Sequence, residues 1–188
     1  MTPEIKTERL LLRSFTPEDA PRLVELVSAW DVARMTSRIP HPYSPELAAT
    51  WIANHESGRT AGTDYPLAIT SGGQIIGCTG LHRAPGKDWG LAGDILEIGY
   101  WIGVPYWGRG YASEAAGAMI AWGFGQLNQT VLGAGHFADN PASRRILEKL
   151  GFTPAGQRRM TSAARGTDVD CPLLLLTRDT WHAKSGIK

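Results

Sequence analysis

A chain of 188 residues with a formal charge of +1 gives no electrostatic case for nucleic acid or an anionic membrane as partner. The length suits one domain over residues 1–188, burying about 70% of its unfolded surface without help from disulfides. The start, MTPEIKTERLLLRSF, is too broken by charge for a signal peptide, and no apolar run nears the roughly 18 residues of a membrane span, so the cytoplasm is the expected setting.

Arg9–Phe15 (RLLLRSF) reads as a first strand. Thr16 then offers an N-cap, Pro17 fills the first helical position and Asp19 stands three residues after the cap. Ala20, Leu23, Val24 and Val27 give that helix one apolar face. Ser37–Tyr43 (SRIPHPY) is a proline-broken loop, after which Ser44-Pro45 opens a second helix with Leu47, Trp51 and Ile52 inward. Tyr65–Thr70 and Gln74–Leu81 form a hairpin across Ser71-Gly72-Gly73, Ala84–Gly93 is a loop, and Asp94–Ile102 (DILEIGYWI) is a third strand of this group. A helix is predicted over about Ala112–Leu127, a strand over Thr130–His136, and a short helix from Asn140-Pro141 to the cap glycine Gly151. Strands near Phe152–Met160 and Val169–Thr177 finish the sheet. This order predicts a three-layer α/β (α+β) domain, a mixed sheet with helices on both faces. Cys78 and Cys171 lie in apolar stretches with no CxxC pair and read as buried, reduced thiols; no metal is expected.

The segment YWGRGYASEA (106–115) places Gly108 and Gly110 between a strand and a helix. A Walker A loop needs Lys-Ser/Thr after its last glycine, and here Gly110 is followed by Tyr111-Ala112. A Rossmann fingerprint needs a third glycine where Ser113 stands, and an acidic strand end about 20 residues on. Both are excluded. What remains is either a plain tight turn or a nest of amide N–H groups suited to a pyrophosphate at a helix N-terminus.

The neighbouring residues favour the nest through a family resemblance. Trp107-Gly108-Arg109-Gly110-Tyr111-Ala112 resembles the (Q/R)-x-x-G-x-(G/A) signature that holds the pyrophosphate of acetyl-CoA in GNAT-type acetyltransferases. Glu97-Ile98-Gly99-Tyr100-Trp101 before it, and Asn140-Pro141-Ala142-Ser143 with Gly151-Phe152 after it, follow that superfamily's order. Thr7-Glu8-Arg9-Leu10-x-Leu12-Arg13 resembles the RimJ/RimL-type branch of ribosomal-protein N-terminal acetyltransferases. The resemblance implies a splayed sheet of six or seven strands, acetyl-CoA as donor, an amine as acceptor, and in this branch often a homodimer. Trp107 departs from the Gln or Arg of the signature, which shifts phosphate contact towards Arg109 and the backbone.

On this resemblance the CoA site comprises Trp107, Gly108, Arg109, Gly110, Tyr111 and Ala112. The backbone of Trp101, Ile102, Gly103 and Val104 would pair with the pantetheine amides like an added strand, and Asn140 would bond the pantetheine arm as well as cap its helix. Glu97, a carboxylate in an apolar strand, is the candidate base acting through a water, or else a structural carboxylate paired with an arginine. A strand bulge, as in the family, would alter which face it shares with Gly99 and Trp101. The family's usual acid tyrosine falls at Leu147, so Ser143 is the candidate group at the CoA sulfur, or else a serine bonding backbone in the first helical turn. Tyr100 and Tyr111 are alternative acids but read rather as core or cofactor packing, and His136 reads as a satisfied core or rim histidine rather than a base. Trp30, Tyr43, Trp51 and Trp89 lie where the acceptor groove is framed, although helical spacing places Trp30 and Trp51 in the core; Glu46, Glu56 and Asp64 read as scattered solvent-facing charges. Three functions stay open: acetylation of a protein or peptide N-terminus, acetylation of a small amine such as an amino acid or antibiotic, and non-catalytic CoA sensing.

Overall fold

In the computed structural model, which describes residues 4–186, eight strands form one sheet. They are β1 (Ile5–Lys6), β2 (Leu11–Arg13), β3 (Asp64–Ser71), β4 (Gln74–Pro85), β5 (Asp94–Ile102), β6 (Val131–Gly135), β7 (Thr153–Ser162) and β8 (Thr167–Thr177). Their order across the sheet is β1-β2-β3-β4-β5-β6-β8-β7, with β5 and β6 parallel and every other pair antiparallel. The count exceeds the expected six or seven because two residues, Ile5 and Lys6, pair with Leu12 and Leu11, too short a stretch to show periodicity. The first strand is correspondingly trimmed from Arg9–Phe15 to Leu11–Arg13.

Helices cover both faces. On one lie α1 (Ala20–Val27), α2 (Trp30–Ala33), α3 (Pro45–Ala53) and α4 (His55–Thr60), packed through Leu23, Val27 and Ile52 onto Ala68, Ile75 and Cys78. On the other, α5 (Tyr111–Gly125), α6 (Pro141–Leu150) and α7 (Arg178–Ser185) cover Leu67, Leu81, Leu96 and Leu132. Both cysteines are buried free thiols. Several expectations change. Leu26 rather than Val24 completes the buried face of α1. Leu47 points outward at 44% exposure, because Ala48 and Ile52 fill the inner side of α3. Trp30 is 46% exposed and meets His41 edge-on at 5.3 Å instead of joining the core. Trp89 is buried in a separate cluster with Ile95, Phe137 and Leu173, its indole N–H donating to Leu174 C=O at 3.0 Å. A helix also follows β8, capped by Thr177, which accepts from Thr180 N–H.

His55 is the least satisfied group of this core. Its ring is 5% exposed, neither nitrogen has a partner among the described residues, and Trp51 and Phe15 meet it edge-on at 4.2 and 5.6 Å. Burial, and then the charge of Arg59, lower its pKa to about 4. The unfolded chain therefore binds a proton there at higher pH than the folded one, so stability falls as pH drops from about 6.5 to about 4. His55→Leu is expected to raise the melting temperature, more at pH 5 than at pH 7.5; thermal unfolding across that range reads it. An equal shift at both pH values would contradict the assignment.

Candidate functional site

β5 and β6 pair only through Leu96–Ile98 and Leu132–Ala134. Beyond Ile98 the strands part, and β5 runs on to Ile102 bonded to β4 alone. Gly103 N–H donates to Ile76 C=O at 2.8 Å, so antiparallel alternation turns the N–H and C=O of Tyr100 and Ile102 away from β4, into the gap. α5 and α6 both begin at this end. Their first turns line a cavity of about 1090 Å³ that passes through the gap to the opposite face of the sheet.

The loop before α5 is shaped by backbone. Gly108 and Gly110 sit at φ +75° and +79°, where a side chain is disfavoured, and Gly110 is the N-cap of α5. The Trp107 indole N–H donates to Ile102 C=O at 2.6 Å, so that tryptophan braces the loop against β5. Arg109 is exposed, stands outside the cavity wall and donates to Pro105 C=O at 3.3 Å. Thr7 and Arg9 hold the loop from behind. Thr7 Oγ1 and the Arg9 backbone N–H donate to Glu114 Oε1 at 2.6 and 2.9 Å, and Arg9 Nη1 donates to Arg109 C=O at 2.9 Å. Burial pushes the Glu114 carboxyl up, but these hydrogen bonds and the Arg9 charge outweigh it and keep the group below the usual carboxylate range.

At the start of α6, Asn140 Oδ1 accepts Ser143 N–H at 3.0 Å, which leaves the Asn140 amide NH₂ to offer the cavity. Ser143 Oγ lies 2.9 Å from Tyr100 Oη, and Tyr100 also donates to Ser143 C=O at 3.3 Å. Burial pushes the Tyr100 phenol up to about 12, so it stays protonated. This contact brings Tyr100 into the site, where the sequence favours packing over a role as acid.

Glu97 is 6% exposed on the cavity wall. Arg158 Nη2 donates to both its oxygens at 2.8 and 2.9 Å, and His82 Nε2 lies 3.4 Å from Oε2. Burial raises its pKa, but His82 and Arg158 together outweigh burial and hold the carboxyl below its ordinary value. The β4–β5 register runs without a bulge from Gly77↔Ile102 to Pro85↔Asp94, so Glu97, Gly99 and Trp101 share one face by simple alternation.

Residues 9–153 match the family described as Acetyltransferase (GNAT) domain. The chain belongs to the GNAT acetyltransferase family. YoaA of Bacillus subtilis (strain 168), named an N-acetyltransferase, is 30% identical over 173 residues, covering 90% of this chain and 94% of that one. Two solved structures share the fold. RimL, a ribosomal alpha-N-protein acetyltransferase in complex with coenzyme A, has a TM-score of 0.79 at 18% identity, over 95% of this chain and 99% of that one. RimJ of Mycobacterium smegmatis, in complex with a CoA disulfide, has a TM-score of 0.79 at 16% identity, over 98% and 93%.

GNAT chemistry takes its acetyl group from acetyl-CoA, and the residues present fit that donor. The glycine loop leaves the N-terminus of α5 open to an anion, and the outward groups of Tyr100 and Ile102 border the gap. The backbone expectation narrows, however. Gly103 N–H and Ile102 C=O are already bonded within the chain. Of the cations, Arg145 and Lys149 of α6 line the cavity and Arg109 does not. Sequence reasoning passed over both, since each also reads as the solvent face of a helix; their spacing of one helical turn was the available signal. His136 is buried, with Nδ1 2.9 Å from Phe137 C=O. Among the described residues no helix is long and apolar enough to cross a membrane, and no cluster of metal-ligating side chains occurs.

Proposed function

We propose that this N-acetyltransferase acts in the cytoplasm on the N-terminal amine of a protein or peptide. The observation that supports it is an end-on cleft. Over the face of the sheet opposite the CoA loop, the β7–β8 turn is latched to the lip after α2: Ala163 N–H donates to Ser37 C=O at 2.9 Å, and Arg165 Nε to Arg34 C=O at 2.7 Å. Arg165 also pairs with Asp139 at 2.9 Å, beside Asn140. An amine reaches the gap tip first, as a chain terminus does. The structural likeness to RimL, an alpha-N-protein acetyltransferase, supports the same acceptor class.

Acetyl-CoA supplies the activated acetyl group. The chain's part is to align the reactants, a contribution of about 7–11 kcal/mol, and to move protons. Ser143, backed by Tyr100, hydrogen-bonds the departing sulfur. Glu97, held ionised by Arg158, orients the acceptor wall and is a weak base. Ser143→Ala is expected to lower kcat roughly 100-fold, and Tyr100→Phe about tenfold, with acetyl-CoA affinity unchanged. Steady-state thiol release with equilibrium CoA binding measures both, and unchanged rates would remove the pair from the mechanism.

The second reading, a small amine, is favoured by the latch itself, which leaves little width for the flanks of a folded protein. Thiol release assayed against a panel of peptides and a panel of small primary amines decides between them. Turnover confined to the small amines would overturn the N-terminal reading, and binding of acetyl-CoA with no turnover on either panel would favour a sensor.

A further inference from the structure

Three side chains cross the sheet in one row. Asp64 of β3 stands opposite His82 of β4, and His82 stands opposite Glu97 of β5. Arg83 N–H donates to Thr63 C=O at 2.7 Å, so Asp64 and His82 form a non-hydrogen-bonded pair, the closer kind. The next row towards the CoA loop carries no side chains at Gly80 and Gly99, which face each other in register. A Cβ at Gly99 would lie 3.9 Å from His82 Cε1, so the open floor of the cleft begins beside this imidazole.

Asp64 therefore does not face solvent as an isolated charge. Both it and His82 line the main cavity and also a second one of about 420 Å³, bordered by Thr63, Arg83 and Asp94. None of the ion pairs among the described residues uses Asp64. Glu97, by contrast, is saturated by Arg158. Burial pushes the Asp64 carboxyl up from its ordinary value, and the charges of His82 and Arg38 offset this only in part.

We infer that Asp64 receives the acceptor as a primary ammonium ion and that His82 takes its proton. The inference rests on the acetyltransferase reading and adds the group that receives the amine and the group that deprotonates it. With Nε2 3.4 Å from Glu97 Oε2, the tautomer that serves this step carries its proton on Nε2 and its lone pair on Nδ1. The ammonium N–H bond breaks and its proton goes to His82. The neutral amine then forms the N–C bond as the C–S bond breaks, and the second amine proton balances the thiolate held at Ser143. His82 returns its proton to solvent through the second cavity, whose wall it shares. The charged groups around it are Asp64, Arg38 from the lip, Glu97 with Arg158 behind it, and Arg83 and Asp94 on the second cavity.

The test uses the full chain with CoA present and benzylammonium as probe. Calorimetry should show at least a tenfold loss of benzylammonium affinity in Asp64→Asn, retention in Asp64→Glu, and equal weak binding of neutral benzyl alcohol by all three. With an amine that the wild type acetylates, His82→Gln should lower kcat about 100-fold at pH 7 with acceptor KM within threefold. That deficit should shrink as pH rises to where the amine is already neutral. Melting temperatures near wild type show that the variants fold. Equal benzylammonium affinity in wild type and Asp64→Asn, or a His82→Gln deficit independent of pH, overturns the inference. Affinity lost in Asp64→Asn while the wild type acetylates no amine would support Asp64 and count against acetyl transfer.

Discussion

Gly110→Val is expected to weaken acetyl-CoA binding at least 100-fold while leaving the fold in place. Gly110 is the N-cap of α5 at φ +79°, a conformation that a β-branched residue adopts only under strain. Space is not the obstacle, since the nearest atom to an added Cβ is Arg9 Nη2 at 3.5 Å, the end of a flexible side chain. The strain would relax by turning the 107–111 backbone out of its present course. The amide N–H groups at the head of α5 would then no longer converge, and the Arg9 bond to Arg109 C=O would go with them. Gly110→Ala, with the same φ demand and no branching, should fall between. Equilibrium CoA titration reads the effect, and circular dichroism checks the helix. Wild-type affinity in Gly110→Val would show that no anion depends on this loop.

The turn into α5 was legible in the sequence because two glycines and a helix start lie within six residues, while the choice of a phosphate nest over a plain tight turn came from the family resemblance. The same holds for Asn140, whose cap on Ser143 N–H spans one turn. Contacts made by register were not legible. Arg158 meets Glu97 only because β7 and β8 fold back beside β6, and Asp64 meets His82 only because the β3–β4 hairpin fixes their pairing. A period of two assigns faces along a strand, but not which residue of another strand stands opposite. The sequence favours packing over an acid role for Tyr100 because its partner is equally remote. Its partner Ser143 lies on a helix 43 residues later. The motif Thr7-x-Arg9 marked the branch, but its physical role, clamping Glu114 and the loop, needed the fold.

Arg158→Met is the change expected to cost most stability, about 3–5 kcal/mol, or roughly 10 °C of melting temperature for a chain of this size. The cost arises less from the lost attraction than from what stays behind. Glu97 would keep its burial without the guanidinium that donates to both oxygens, and Asp88 would lose its partner at 3.1 Å. The sign of the pH dependence identifies the cause. In the wild type the Glu97 carboxyl is held below 4.5, so its contribution is present above that value and is lost as pH falls through the lower folded one. Without Arg158 only His82 is left to offset burial, so the carboxyl rises from its wild-type position and the variant loses stability relative to wild type as pH rises. The deficit of Arg158→Met against wild type should therefore be smaller near pH 4 than at pH 7 and above. Glu97→Gln combined with Arg158→Met removes the stranded charge and should recover much of the loss, giving a coupling energy of more than about 1 kcal/mol in a double-mutant cycle. The Arg158 guanidinium also lies over Trp89, with Cζ 5.0 Å from that ring, a contact that methionine loses. A deficit equal at pH 4 and pH 8, with no recovery in the double variant, would move the cost from the stranded carboxylate to the lost contact with Trp89.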